Sequence, residues 1–108
     1  MRNYRSHNDV MIEKLKNDLE YRHAYLQVAI ENFQEDGESH YLLLALRNVA
    51  EAQGGVPMLA KKVNMGKTSL YKALSEDGNP RLNTIYTILG GLGYKMQVVP
   101  VDTLSYAS

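Results

Sequence analysis

The 108-residue chain contains no cysteine, which excludes a disulfide framework, a thiolate metal site and a cysteine nucleophile. It also lacks any apolar run near the roughly 18 residues that a membrane-spanning helix needs, and no secretory signal is evident before the first predicted helix. A reducing cytoplasm is compatible with this composition. We expect a cytoplasmic protein with no membrane contact and no evident small-molecule ligand.

Catalytic and metal-binding motifs are missing as well. His7, His23 and His40 stand in separate segments without HExxH-type spacing, and there is no glycine-rich phosphate loop. Serine, histidine and aspartate are all present, so an enzyme is the rival reading from a different class, but nothing in the sequence brings them together. We expect no enzyme activity, no metal and no cofactor.

Net charge is zero, but the charge is unevenly distributed. Residues 1–56 hold six basic and nine acidic side chains, a net charge of −3, whereas residues 57–100 hold six basic and two acidic ones, a net charge of +4. Length and composition indicate a single soluble domain over residues 1–108. A basic half favours a nucleic-acid partner, and so modest a charge favours a dimer on two DNA half-sites.

The basic half contains residues 57–75, PMLAKKVNMGKTSLYKALS, which read as two short helices joined by a tight turn. Apolar residues recur at helical spacing in both halves, at Leu59, Ala60 and Val63 and again at Leu70, Ala73 and Leu74. Between them, Asn64 and Gly66 suit the positive φ angles of a sharp turn, and Met65 would act as an apolar plug. This spacing predicts a helix-turn-helix, whose second helix enters the major groove of DNA.

The outer face of the second helix is polar and free of carboxylates. It presents Lys67, Thr68, Ser69, Tyr71 and Lys72. Lysine can donate to guanine, and serine or threonine can reach base edges or phosphates. An ordinary helical hairpin with a solvated polar face is the alternative interpretation.

The acidic half is predicted to contain further helices over residues 9–53, after a flexible arm over residues 1–8 in which Arg2 and Arg5 could alternatively touch DNA. Helix starts are indicated by Ser6 with Asp9, by Asp18 and by Ser39, and helix ends by Gly37 and by the Gly54–Gly55 pair. The apolar stripe of the long second helix is predicted at Leu19, Leu26, Ile30 and Phe33. The third helix is expected to be central, with Leu43, Leu46, Val49 and Ala50 facing inward.

Two helix starts are candidate phosphate sites. Pro57 suits the first turn of a helix, which would leave the amides of Met58 and Leu59 free for a phosphate. Asn79 and Arg81 lie in a turn-rich loop before the last helix, whose start is the second such place. The buried side of that helix is predicted at Leu82, Ile85, Ile88, Leu89 and Leu92.

Residues 94–99, YKMQVV, alternate in polarity and precede Pro100, which predicts a short strand. A lone strand leaves its own backbone groups unpaired, so pairing with the same strand of a second copy would produce a dimer. The dimerising residues would be Tyr94, Met96, Gln97, Val98 and Val99. The alternative is an extended tail lying on the helices.

The run AKKVNMGKTSLYKALSEDGNPRLNTIYTILGGLGYKMQV resembles the Xre, or lambda-repressor-like, helix-turn-helix domain. It is most similar to the prophage-type addiction-module antidote proteins, the HigA-like antitoxins, and the similarity extends over about residues 18–99. The resemblance implies an all-α helix-turn-helix bundle with its core at residues 57–92, extra N-terminal helices and one short C-terminal strand.

The resemblance also implies a function. Such proteins are similar to transcriptional repressors that bind double-stranded operator DNA as homodimers in the bacterial cytoplasm, at the nucleoid, and neutralise a small basic RelE-like toxin. Carried onto this chain, base contacts fall at Lys67, Thr68, Ser69 and Lys72, and phosphate contacts at Asn79, Arg81 and Asn83. Two alternatives stay open: a phage or prophage regulator without a toxin, and a protein-interaction adaptor whose acidic residues 31–38 suit a basic partner.

Overall fold

The structure is a computed structural model that describes residues 6–101. Six helices follow one another in this range: α1 (His7–Asn17), α2 (Leu19–Asp36), α3 (His40–Ala52), α4 (Val56–Lys62), α5 (Lys67–Ala73) and α6 (Leu82–Gly91). Among these residues there is no strand, and no helix is long and apolar enough to cross a membrane. The predicted all-helical class is confirmed over the described part of the chain.

Capping residues set the ends of the N-terminal helices. Ser6 and Asp9 form a reciprocal capping box, in which the Asp9 amide donates to Ser6 Oγ at 3.0 Å and the Ser6 amide donates to Asp9 Oδ2 at 3.3 Å. Asp18 Oδ1 accepts from the Tyr21 amide at 3.0 Å, and Gly37 ends α2 in the left-handed region. These predictions are confirmed, although α1 already begins at residue 7. Ser39 precedes α3 as expected, but its side chain makes no capping hydrogen bond.

Helix α3 forms the centre of the bundle, as predicted. It packs against α1, α2 and α4, and its inward side chains are almost fully buried. They include Leu43, Leu46, Val49 and Ala50. A helix that is covered on three sides must be apolar around most of its circumference, which the sequence of α3 provides.

Three side chains that were predicted to be buried are exposed instead: Leu19, Phe33 and Leu82. Leu19 and Leu82 are the first residues of their helices, and Phe33 lies in the last turn of α2. Helical periodicity identifies the apolar face of a helix but not the point where the neighbouring helix stops covering it. The predicted stripes therefore extend beyond the core.

The strand predicted over residues 94–99 is not formed in this single chain. Lys95, Met96, Gln97 and Val99 instead line a cavity of about 790 Å³ together with side chains of α2, α3 and α6, whereas Val98 is exposed. This placement agrees with the alternative interpretation of a tail lying on the helices. The arm was predicted over residues 1–8, but residues 6–8 instead cap and begin α1, so the prediction is wrong there. Residues 1–5 and the end of the chain after residue 101 lie outside the described residues.

Asn48 of α3 is a polar side chain inside the apolar core, exposed to only 3%. Its Nδ2 donates to the Tyr25 hydroxyl at 2.9 Å and approaches Met11 Sδ at 3.7 Å. Because a buried amide that loses its partner keeps its desolvation penalty, this contact ties α1 and α2 to one position on α3.

We expect Tyr25→Phe to lower the free energy of unfolding by about 1–3 kcal/mol, because it leaves an Asn48 donor without its oxygen acceptor. Urea unfolding at equilibrium measures the effect. Tyr41→Phe, which removes a hydroxyl from an exposed ring, is the control and should change stability by less than about 0.5 kcal/mol. Similar losses in both variants would contradict a structural role for the Asn48–Tyr25 hydrogen bond.

Candidate nucleic-acid interface

The turn between α4 and α5 is a Schellman motif. Asn64 takes the left-handed conformation with φ 59°, the Asn64 amide donates to the Lys61 carbonyl at 3.3 Å, and the Met65 amide donates to the Ala60 carbonyl at 2.9 Å. Met65 is half-buried and packs against the core, as predicted. The prediction of a positive φ for Gly66 is wrong: with φ −65° and ψ 139° it is the extended N-cap of α5. One left-handed residue is sufficient to reverse the chain here.

Helix α5 has one buried and one exposed face. Leu70 and Leu74 are buried in the core cluster, and Ala73 is half-buried on the same side. The four predicted base-contacting side chains, Lys67, Thr68, Ser69 and Lys72, are all exposed. Neither lysine forms an ion pair with any residue in the range 6–101, so the acidic half of the chain does not neutralise this face.

Tyr71 differs from its neighbours on α5, because it is half-buried and contacts α3. The Arg47 guanidinium carbon lies 5.5 Å from the centroid of the Tyr71 ring, within cation–π range. The contact places a cation from the acidic half beside the exposed face of α5. Sequence reasoning missed Arg47, and the available signal was its position as the one lysine or arginine in a mostly apolar helix.

The first phosphate site, at the start of α4, is smaller than predicted. The Leu59 amide already donates to the Gly55 carbonyl at 3.1 Å, so it is not free, and the Leu59 side chain is buried. Pro57 has no amide hydrogen. The Met58 amide makes no hydrogen bond within the described residues, and its side chain is exposed. One backbone donor thus remains where two were expected.

The second phosphate site, at the start of α6, retains its donors. Asn79, Arg81 and Asn83 are exposed, and Arg81 is the extended N-cap. The amides of Leu82 and Asn83 have no acceptor in the part of the chain that is described, whereas the Thr84 amide donates to the Arg81 carbonyl. Free amides at a helix start together with a guanidinium are suited to a phosphate.

Close packing holds α6 against α4. A Cβ atom added at Gly91 would overlap Val63 Cγ1 and lie 2.6 Å from Leu59 Cδ1, so the two helices meet where α6 has no side chain. Gln53 Nε2 also donates to the Leu92 carbonyl at 2.9 Å, which joins the end of α3 to the end of α6. These contacts hold the end of α6 against α4 and against the end of α3.

Of the predicted dimerising residues, Tyr94 packs against α2, whereas the other four are exposed. The Tyr94 ring packs edge-on against His23 of α2, with ring centroids 5.3 Å apart. Burial raises the pKa of the Tyr94 phenol, and the charge of Arg22 opposes that rise. Met96, Gln97, Val98 and Val99 are exposed. Their part in a dimer stays a prediction.

The described residues contain no cluster of histidine, aspartate or glutamate side chains that could hold a metal ion. What they contain is an all-helical bundle with two short helices joined by a tight turn, compatible with a helix-turn-helix bundle.

Residues 8–100 match the model of a family described as "probable addiction module antidote protein". The chain belongs to this family, which implies a toxin as its partner. It is also similar to an uncharacterized protein of Haemophilus influenzae, with 27% identity over 73 residues that cover 68% of this chain and 74% of the relative. No solved structure matches the chain significantly.

Proposed function

We propose that this antidote is a sequence-specific DNA-binding repressor. It binds operator DNA as a homodimer, represses its own operon, and neutralises a small basic toxin of the RelE-like type. It works in the bacterial cytoplasm at the nucleoid, as an Xre-type helix-turn-helix protein of prophage origin. The proposal assigns the chain no catalytic step, metal or cofactor.

The exposed face of α5 is the observation that carries the DNA-binding part. Two lysines, a threonine and a serine stand in solvent without ion-pair partners among residues 6–101, while Leu70 on the opposite face is 0% exposed. Side chains on a rigidly supported helix can reach base edges in a major groove, which a mobile loop does less accurately. Lys67 and Lys72 are the proposed base readers.

Two nearby groups could contact phosphates when the exposed face of α5 meets DNA, and the charge of residues 57–100 supports a dimer. Arg47 lies beside α5 through Tyr71, and Arg81 with the free amides of α6 lies at the end of the loop that follows α5. Contacts of this kind with phosphates position a protein on the duplex without reading sequence. The modest charge of +4 on residues 57–100 favours two copies on two half-sites, which supports the homodimer.

We expect Lys72→Ala to weaken binding to the DNA upstream of the gene by about 1–3 kcal/mol, because a lysine that reads a base is lost. Binding to random DNA should change much less. Arg81→Ala should weaken binding to both DNAs alike and should reduce the dependence of affinity on salt concentration. Fluorescence anisotropy at several salt concentrations measures both effects.

Lys16→Ala is the matched control, because it removes an exposed lysine from the last turn of α1, in the acidic half. It should leave both affinities nearly unchanged. Equal losses on upstream and random DNA for Lys72→Ala would reject its base-reading role. Failure of the unmodified protein to bind upstream DNA at low salt would reject the repressor.

A further inference from the structure

A second exposed surface lies in the acidic half, between α2 and α3. It is a groove of about 380 Å³, here called the α2–α3 groove, lined by side chains that include Ala24, Val28 and Asn32 of α2 and Tyr41 and Leu44 of α3. Val28 is 53% exposed, Tyr41 63% and Leu44 49%. Three large side chains exposed to this extent in one concave place make the groove a candidate interaction site.

The stretch of sequence that supplies most of the groove lining carries charge of one sign. No lysine or arginine occurs between Arg22 and Arg47, whereas this stretch holds four carboxylates. They are Glu31, Glu35, Asp36 and Glu38, all exposed. On a helix, residues three positions apart are neighbours, so Glu31 follows Val28 and Glu35 follows Asn32 along the exposed edge of α2.

The partners of these carboxylates are neutral groups or a histidine. Glu31 accepts from the neutral amide of Gln27 at 2.9 Å, and Asp36 accepts from the Glu38 amide at 2.9 Å. Glu38 lies 3.7 Å from His40, a pairing that requires a protonated imidazole. No lysine or arginine of residues 6–101 forms an ion pair with them.

Arg22, Arg47 and Lys14 flank the groove but are not among its lining residues, and each interacts with another part of the chain. Arg47 lies over Tyr71. Arg22 has a buried Nε, and its charge opposes the rise that burial causes in the pKa of Tyr94. Lys14 lies 4.5 Å from the centroid of the Tyr21 ring, at one end of the lining. The four carboxylates along α2 and before α3 therefore outnumber the three flanking cations.

We propose that the α2–α3 groove binds a basic segment of the toxin, with apolar side chains against Val28 and Leu44 and cations against the carboxylate rim. This inference rests on the proposed neutralisation of a basic toxin. DNA is repelled by this rim, and a second copy of the chain would bring two acidic rims together, so both fit worse than a basic protein. The groove lining contains no residue of α5.

A defined probe tests the groove directly. We expect a labelled 14-residue amphipathic peptide of leucine and lysine to bind the full chain in fluorescence anisotropy, and a leucine–glutamate peptide of the same pattern to bind far more weakly. Leu44→Ser should weaken binding of the leucine–lysine peptide by about tenfold or more, the loss expected when the burial of one leucine side chain is removed. Glu31→Gln combined with Glu35→Gln should also weaken binding and reduce its salt dependence.

Leu19→Ser is the matched control, because Leu19 is 56% exposed at the start of α2 and lies outside the lining of the α2–α3 groove. It should change the affinity for the leucine–lysine peptide less than about twofold, in line with a surface substitution. Equal binding of this peptide to the Leu44→Ser variant and the unmodified chain would overturn the proposal. So would a dimer in sedimentation that becomes a monomer in Leu44→Ser, because the groove would then be the interface between two copies.

The product of the gene beside this one tests the toxin assignment in a growth assay. We expect the unmodified chain and Leu19→Ser to relieve its toxicity, and Leu44→Ser to lose most of that relief while still binding DNA. Relief by all three proteins would overturn the groove as the toxin site and leave the antitoxin role intact. No relief by any of them would reject the neutralisation, and the peptide measurements would then decide the binding chemistry of the groove separately.

Discussion

Leu70→Ala is expected to lower the free energy of unfolding by about 2–5 kcal/mol, the range for a leucine removed from a close-packed core. Leu70 is 0% exposed and belongs to the same core cluster as Leu59, Leu74 and Ile88. The lost side chain leaves a cavity beneath α5, which has only seven residues and so depends on tertiary packing for its stability. Urea unfolding at equilibrium, followed by circular dichroism, measures the change.

Leu82→Ala is the matched control, since it makes the same chemical change at a leucine that is 71% exposed. It should alter the free energy of unfolding by less than about 0.5 kcal/mol. Because α5 carries Lys67 and Lys72, Leu70→Ala should also weaken DNA binding at temperatures where the chain is still mostly folded. Equal destabilisation by the two alanine variants would contradict the packing described for α5.

Gly91→Ala and its neighbour Gly90→Ala are expected to have opposite effects. A Cβ atom at Gly91 would overlap Val63 Cγ1 and crowd Leu59 Cδ1, whereas one at Gly90 would meet nothing within 4 Å. Overpacking should make Gly91→Ala destabilising by about 1–3 kcal/mol. Gly90→Ala should stabilise by about 0.5–1 kcal/mol, because alanine favours a helix over glycine. Thermal and urea unfolding of the two variants measure the difference.

The sign of the difference is the informative result. If both variants stabilise the protein, the close approach of α6 to α4 is absent in solution. If the prediction holds, a bulkier residue at position 91 should displace α6 from α4 and shift Arg81 relative to α5. A substitution at position 91, which does not contact DNA, would then weaken DNA binding because it moves α6 and Arg81.

The starts, ends and turns of the helices could be predicted well from residues close together in the chain. The capping box at Ser6, the cap at Asp18, and the left-handed Gly37 and Asn64 all follow from hydrogen bonds within a few residues. Gly66 is the exception. The turn needed a single left-handed residue, and the sequence offered two candidates for it.

The candidate DNA site was predictable in composition but not in detail. Helical spacing predicted that Leu70 is buried while Lys67 and Lys72 are exposed, because the directions of side chains along a helix follow from their spacing. Arg47 was missed because its contact with Tyr71 joins α3 to α5, and no local pattern records such a pairing. The Leu59 amide was counted as free because the start of α4 was expected at residue 57 rather than at residue 56.

By itself, the sequence determined the helical class, most helix ends, the polar face of α5 and the separation of acidic and basic halves. Only the tertiary structure decided that Leu82 is exposed, that Tyr94 packs on His23, and that Val28 and Leu44 share a groove. Periodicity and capping act over one or two helical turns, whereas burial depends on where a distant helix begins and ends.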